Sequence, residues 1–332
     1  MCLTIKNLLL VTVILSVNAC KCKSDTKQNG GAVYVYTFEK GNQVTTGDSK
    51  KMITQYMGIA NPHELTVSTD ENIAYYVDDA DLNITFEQDL NNGNFEFSKI
   101  TKAYLDNDTL KLPSEEEALR IAKDFLKTNG IAAKNDGEIR LVHSGGIRSQ
   151  SIVNGKQAGL IIDKVRTLTY GRIVDSMPVI GAGSKIIVQI GDKGQVLGVT
   201  RKWRELQLTS KKEVKAEEMI TVKEAEELAK RQIASEFGTD ATFEITGTQK
   251  SYYDGNGNIL QPVWAFNTVV KLSGQDRSMQ PVKYLCIIPM LKNSPEPIKL
   301  TTVDPKAKDM IRDMKSYKDS ARVNVKDTAG KD

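Results

Sequence analysis

The run L-P-S-E-E-E-A-L-R-I-A-K-D-F-L-K, Leu112 to Lys127, decides how this chain is read. Ser114 is followed three residues later by Glu117, the capping-box pairing that satisfies orphan amides at a helix start. Ala118, Ile121, Ala122 and Phe125 then recur at a helical period, so the helix has one apolar stripe that a sheet or another helix must cover. After further polar sequence comes M-P-V-I-G-A-G-S-K-I-I-V-Q-I, Met177 to Ile190, with strand character and a Pro178-Val179 opening. The same order returns downstream. I-T-V-K-E-A-E-E-L-A-K-R-Q-I, Ile220 to Ile233, is capped by Thr221 with Glu224 and striped by Ala225, Leu228, Ala229 and Ile233; Q-P-V-W-A-F-N-T-V-V, Gln261 to Val270, follows. Duplication and coincidence both account for the match, because capping boxes and Pro-Val pairs are common.

Working outward to the start, Lys6 supplies a positive region and Leu8 to Val17 an apolar core of about ten residues, too short to span a bilayer and suited to a secretory signal. Val17-Asn18-Ala19-Cys20 then places a cysteine at a small-residue cleavage site. This arrangement resembles the leader of bacterial lipoproteins, which implies that residues 1–19 are removed and that Cys20 carries the lipid. An ordinary cleaved signal with an incidental Cys20 is the alternative. Residues 20–31 are polar and read as a flexible tether. With Cys2 in the leader and Cys20 lipidated, Cys22 and Cys286 are left, either as one disulfide or as two thiols; their spacing suggests no metal cluster.

The chain has 332 residues, enough for two domains or one elongated one, and a formal net charge of +3 that drops further when Lys6 leaves. Lys and Arg are interleaved with Asp and Glu, so bulk electrostatics gives no argument for a nucleic-acid partner.

Between Ala32 and Ile100 the pattern is strand-like: Val33 to Phe38, Glu64 to Ser68, Ile73 to Val77, Leu82 to Phe86 and Phe95 to Ile100, with a short helix over Lys50 to Met57. Asp-Asp-Ala-Asp at 78–81 and Asp-Gly-Asn-Gly-Asn at 254–258 invite a calcium reading. The second fails the EF-hand template, whose twelfth position would be Ala265, and both are better read as turns. Ser144-Gly145-Gly146 and Gly181-Ala182-Gly183-Ser184 are likewise read as turns, since neither matches a P-loop or a dinucleotide fingerprint. Lys185 to Ile190 and Gln195 to Thr200 flank Gly191-Asp192-Lys193-Gly194 as a hairpin. The charged segment Lys211 to Glu218 is the expected domain boundary. Trp203 and Trp264 sit in patterned strands and read as packing residues. From Asn293 prolines and lysines point to an irregular tail, with Lys306 to Lys318 as a short helix.

The helix S-E-E-E-A-L-R-I-A-K with M-P-V-I-G-A-G-S-K-I-I-V-Q-I-G-D-K-G-Q-V-L-G-V, and T-V-K-E-A-E-E-L-A-K-R-Q-I with L-Q-P-V-W-A-F-N-T-V-V, resemble the PepSY and thermolysin-propeptide superfamily, including the extracytoplasmic YycH and YycI regulatory proteins. The resemblance covers Leu112 to Ile288. It implies a helix packed on a curved antiparallel sheet, and inhibition or regulation through protein contacts.

The expected fold is therefore α+β, with tandem helix-on-antiparallel-sheet units after a strand-rich N-terminal region: 32–210 with the first PepSY-like unit, 211–292 as the second, and 293–332 as the tail. Catalytic constellations are nearly absent. The only histidines are His63 and His143, and no H-E-x-x-H, Cys-x-x-Cys or G-x-S-x-G occurs. The expectation is a noncatalytic, lipid-anchored, extracytoplasmic protein of the bacterial cell envelope that binds an envelope protein and needs no cofactor or metal. A small-ligand-binding lipoprotein is the alternative and a hydrolase the remote one. Strand addition is the expected mode of contact, with Lys185, Ile187, Gln189, Trp264 and Phe266 as candidate interaction residues, although Pro262 could instead protect its strand from pairing.

Overall fold

A computed structural model describes residues 32–41, 43–107, 109–150, 152–153, 156–157, 159–272 and 280–298. The leader, the lipidation candidate Cys20, the 20–31 tether, Cys22 and the expected helix at Lys306 to Lys318 lie outside these residues. The architecture is α+β. Two compact units divide the chain: Met1–Val214 with Ser251–Gln261, and Lys215–Lys250 with Pro262–Asp332.

The first unit begins with β1 (Val33–Phe38) and α1 (Thr46–Met52), which continues into a π-helical turn, Ile53–Met57. A meander follows: β2 (Thr66–Ser68), β3 (Ile73–Val77), β4 (Thr85–Asp89) and β5 (Phe95–Ser98), paired antiparallel in sequence order. The short α2 (Lys102–Asp106) precedes α3 (Glu115–Thr128). Next come β6 (Ile139–Ser149), the small hairpin β7 (Ile152–Val153) and β8 (Lys156–Gln157), β9 (Ile162–Val174), β10 (Met177–Gly181), β11 (Lys185–Ile190), β12 (Val196–Lys202) and β13 (Leu206–Val214). In this unit β9 lies between β6 and β11, β11 pairs β12, and β12 pairs β5. β13 pairs β1.

Helix α3 starts where its cap predicts, with Ser114 accepting from the Glu117 amide. Only half of the box forms, because the Glu117 carboxylate turns to Arg120 at 2.7 Å. Ala118, Ala122 and Leu126 face the sheet, and Ile121 and Phe125 pack at the margin of the same core. The helix packs on β9 and β11, with Ala118 and Ala122 fully buried. The core beneath holds Phe86, Phe97, Leu168, Ile186, Val188 and Trp203, all nearly inaccessible.

The second unit carries α4 (Val222–Phe237), with β14 (Thr242–Asp254) and β15 (Ile259–Lys271) each running on into the first unit, and β16 (Val282–Pro289). Thr221 and Glu224 form the complete reciprocal cap, and Ala225, Ala229 and Ile233 are buried. α4 packs on β16, where Phe237 meets the Tyr284 ring edge-on at 5.1 Å and Gln232 donates to the Tyr284 hydroxyl at 2.8 Å.

Three details differ from the sequence reading. Ser144-Gly145-Gly146 is no turn; it continues β6, because β9 offers partners as far as Ile162. Lys211 to Val214 belongs to β13 rather than to a connecting segment. Ser251 to Gln261 returns to the first unit, where Tyr252 and Leu260 pack with Tyr36, Phe38 and Val174. Among the described residues, β10 pairs in parallel with the Tyr252–Asp254 end of β14.

Candidate functional site

The hairpin joining β9 to β10 is as short as a hairpin can be: Val174 pairs Met177, leaving Asp175 and Ser176 as the two connecting residues. Both have positive φ, 47° and 65°, which matches the twist of the flanking strands and is tolerated by a short polar side chain such as aspartate. The turn holds the Asp175 carboxylate against three other strands. Oδ2 accepts from the Tyr36 hydroxyl on β1 at 2.5 Å and from the Tyr252 hydroxyl on β14 at 2.9 Å. Oδ1 faces Lys211 Nζ on β13 at 3.1 Å, and that ammonium lies 3.8 Å over the Tyr34 ring.

The charges of this cluster support one another. Burial alone would raise the Asp175 carboxyl, yet the hydrogen bonds from Tyr36, Tyr252 and Lys211 hold it below the usual carboxylate range. Burial first, and then the bond to Asp175, pushes Tyr36 up to about 12, and Tyr252 is raised by the same two causes. Contacts with Tyr36 and Asp175 hold Lys211 above its ordinary value.

An open cleft of about 580 Å³ lies against this cluster, lined by Tyr36, Glu138, Arg140, Asp175, Leu208 and Lys211. Glu138 is engaged by the buried Arg172, whose Nε stands 3.1 Å away and whose guanidinium stacks 4.1 Å over Trp203. Arg140 is exposed and turns Nη1 back to its neighbour's carbonyl, that of Ile139, at 2.7 Å. Among the described residues it has no carboxylate partner.

Arg140 belongs to β6, which pairs β9 on one side and, among the described residues, nothing on the other. Its register shifts between Leu141 and His143 and again between Ile147 and Arg148. Between these bulges His143 to Ile147 pair in unbroken register with Thr169 to Val165. Gly146 lies so close to the Val165 carbonyl that a Cβ there would overlap it, whereas at Gly145 a Cβ would meet only the tip of the His143 ring. The middle of the edge is therefore almost bare of side chains. Leu141 and Val142 beside it are exposed. The edge of β13 differs, since it carries Lys211, Lys212 and Glu213, charges that discourage pairing.

The sequence-predicted interaction residues lie elsewhere. Lys185, Ile187 and Gln189 are half-buried on β11, which is paired on both sides, by β9 and β12, so no free edge exists there for strand addition. Trp264 and Phe266 are buried on β15, paired by β16 on one side and β14 on the other. In both cases the flanking strands are near neighbours in sequence, and it is their pairing on both sides that removes the edge. Trp264 on β15 and Trp203, one residue past the end of β12 rather than within a strand, are both buried packing residues.

The Asp78–Asp81 and Gly181–Ser184 runs resolve into turns and loops. Asp78 Oδ1 accepts from the amides of Ala80 and Asp81, and Asp81 Oδ1 from that of Asn83. The Gly181–Ser184 loop wraps the buried Asp254 carboxylate, which accepts from Ser184 Oγ at 2.7 Å and pairs with Arg204 at 3.3 Å; a Cβ at Gly183 would overlap it. Among the described residues no group of three or more His, Cys, Asp or Glu side chains could hold a metal ion. Cys286 is a free, buried thiol that burial pushes up to about 12. No helix among the described residues is long and apolar enough to cross a membrane.

No protein-family model and no curated protein matches this chain. Among solved structures, an uncharacterized protein from Eubacterium rectale is similar at 10% identity and a TM-score of 0.44, over 81% of this chain and 86% of that one. The Bacillus megaterium YpeB C-terminal domain is similar at 14% identity and a TM-score of 0.32, over 76% of this chain and 100% of that one. The likeness is a remote one of α+β architecture.

Proposed function

We propose that the chain is a noncatalytic protein of the bacterial cell envelope, held outside the cytoplasm by a lipid on Cys20, that regulates or inhibits an envelope protein by binding an extended segment of it along β6. The observation that carries this reading is the unpaired window His143–Ile147. Strand addition draws affinity from main-chain hydrogen bonds and selectivity from neighbouring side-chain pockets. Bulges at either end confine pairing to the window, and the cleft beside Asp175 lies at its Arg140 end. The segment bound carries carboxylates: β6 contains no Asp or Glu, and while Arg148 is already paired with Asp163 at 2.6 Å, Arg140 has its charge to offer. In the same reading 32–210 and 211–292 are tandem PepSY-like modules ahead of the 293–332 tail. A lipid-anchored carrier of small ligands is the second reading, favoured by a cleft of about 510 Å³ beside Phe125 and Val196. No observation favours a hydrolase.

A photo-crosslinking residue at Val142 or Ser144 tests the proposal in cells. One envelope protein should be captured, joined through an acidic, extended peptide that mass spectrometry can locate. That peptide, made synthetically, should slow amide exchange along His143–Ile147 in the wild type and bind about tenfold more weakly to Arg140→Glu. A peptide that binds without protecting those amides, or a correctly folded, anchored protein that captures nothing, overturns the reading. Intact mass of the membrane-extracted chain checks the anchor: an unmodified Cys20 rejects it.

A further inference from the structure

A second cleft of about 510 Å³ lies where α3 meets the π-helical turn and the β11–β12 connection, lined by Tyr56, Lys99, Ile121, Phe125, Gly194 and Val196. Its walls are largely apolar and its charges are unevenly satisfied. Arg120 at the rim is neutralised twice, by Glu117 at 2.7 Å and Asp124 at 3.0 Å. Lys99 is half-buried, and among the described residues no carboxylate reaches it; its ammonium donates to the Tyr56 carbonyl at 3.3 Å, which leaves two of its three donors without a protein partner. Burial lowers the Lys99 amine below its usual value, with no neighbouring charge to oppose the shift.

The backbone sets this lysine in place. Its own amide donates to the Leu197 carbonyl at 2.6 Å, tying it to the start of β12. Tyr56, which lines the cleft, lies in the π-helical turn that ends at Gly58, where φ is 77°. Widened turns of this kind recur at functional sites. Gly194, also at positive φ, lets the hairpin connection approach the end of Ile121 closely.

We propose that this cleft binds a small amphiphilic anion, an alkyl carboxylate, with the carboxylate on Lys99 Nζ and the alkyl chain along Ile121, Phe125 and Val196. The anion supplies the counter-charge that the fold withholds from Lys99, and the chain removes apolar surface from water. A cation would meet the Lys99 ammonium, and a neutral alkyl ligand would leave its donors unmatched. The inference goes beyond the protein-binding proposal and does not rest on it, since none of the residues involved belongs to β6 or to the Asp175 cluster.

Titration calorimetry of the full chain with octanoate, octanol and acetate tests the inference. Octanoate should bind more tightly than either control, because it alone presents both the charge and the chain. Lys99→Met should weaken octanoate about tenfold and leave octanol unchanged, while Lys99→Arg should keep most of the octanoate affinity. Thermal unfolding of each variant, which should match or exceed that of the wild type because a half-buried charge is removed or kept, excludes misfolding as the cause of a loss. Octanoate binding that is undetectable in the wild type, or equal in wild type and Lys99→Met, overturns the proposal.

Discussion

Two adjacent glycines in β6 should respond very differently to the same one-carbon change. At Gly146 a Cβ would overlap the Val165 carbonyl of the paired strand, with the Arg166 Cα 3.2 Å away, so relief requires the two backbones to separate. At Gly145 the nearest atom is His143 Nε2 at 2.5 Å, the far end of a side chain that can rotate away. Neither glycine has positive φ, so alanine brings no backbone strain and should itself favour folding by about 0.5–1 kcal/mol through the unfolded state. Against this, forcing atoms into a packed strand pair costs roughly 1–3 kcal/mol, and each ladder hydrogen bond lost adds about 1 kcal/mol. The expected net is about 2–3 kcal/mol of destabilisation for Gly146→Ala and within about 0.5 kcal/mol of zero for Gly145→Ala, on those same magnitudes. Urea unfolding of both variants measures the difference, read at unchanged m-value. Equal costs at the two positions would refute the strand register on which the proposed docking edge depends.

Three further outcomes follow from the same geometry. Asp175 is held below its ordinary value in the folded state, so its contribution is full above the unfolded carboxyl value of about 4 and is lost as pH falls toward the folded one; Asp175→Asn should flatten the acid limb of a stability-against-pH curve, and an unchanged limb would count against the cluster. Tyr36 is raised to about 12, so its contribution is complete below about 10, the ordinary tyrosine value, and disappears between there and about 12; ultraviolet titration should show late-ionising phenols, Tyr252 among them, whose number falls by one in Tyr36→Phe. Thr221→Ala breaks the reciprocal cap of α4 and should cost about 1 kcal/mol, measured as earlier hydrogen exchange in the first turn of that helix; wild-type exchange there would mean the cap contributes nothing.

The two helices were legible because everything that specifies them is local. Ser114 and Thr221 stand at the caps, and the alanine stripes that follow them are the faces that became buried. The β11–β12 hairpin was legible for the same reason, its connection and its flanking runs being contiguous. Ser144-Gly145-Gly146 signals a turn in isolation, while the backbone of β9 keeps it extended within β6.

Local pattern determines which residues alternate and where a helix starts, but carries no record of which strand comes to lie alongside. Lys185 to Ile190 and Gln261 to Val270 read as well as any edge, yet β9, β12, β14 and β16 cover their sides. The Asp175 cluster draws Tyr36, Lys211 and Tyr252 from three other strands, and nothing in the spacing of those residues announces it. Burial and edge position are pairwise facts between segments, near in sequence or far, which arise only when the sheet assembles.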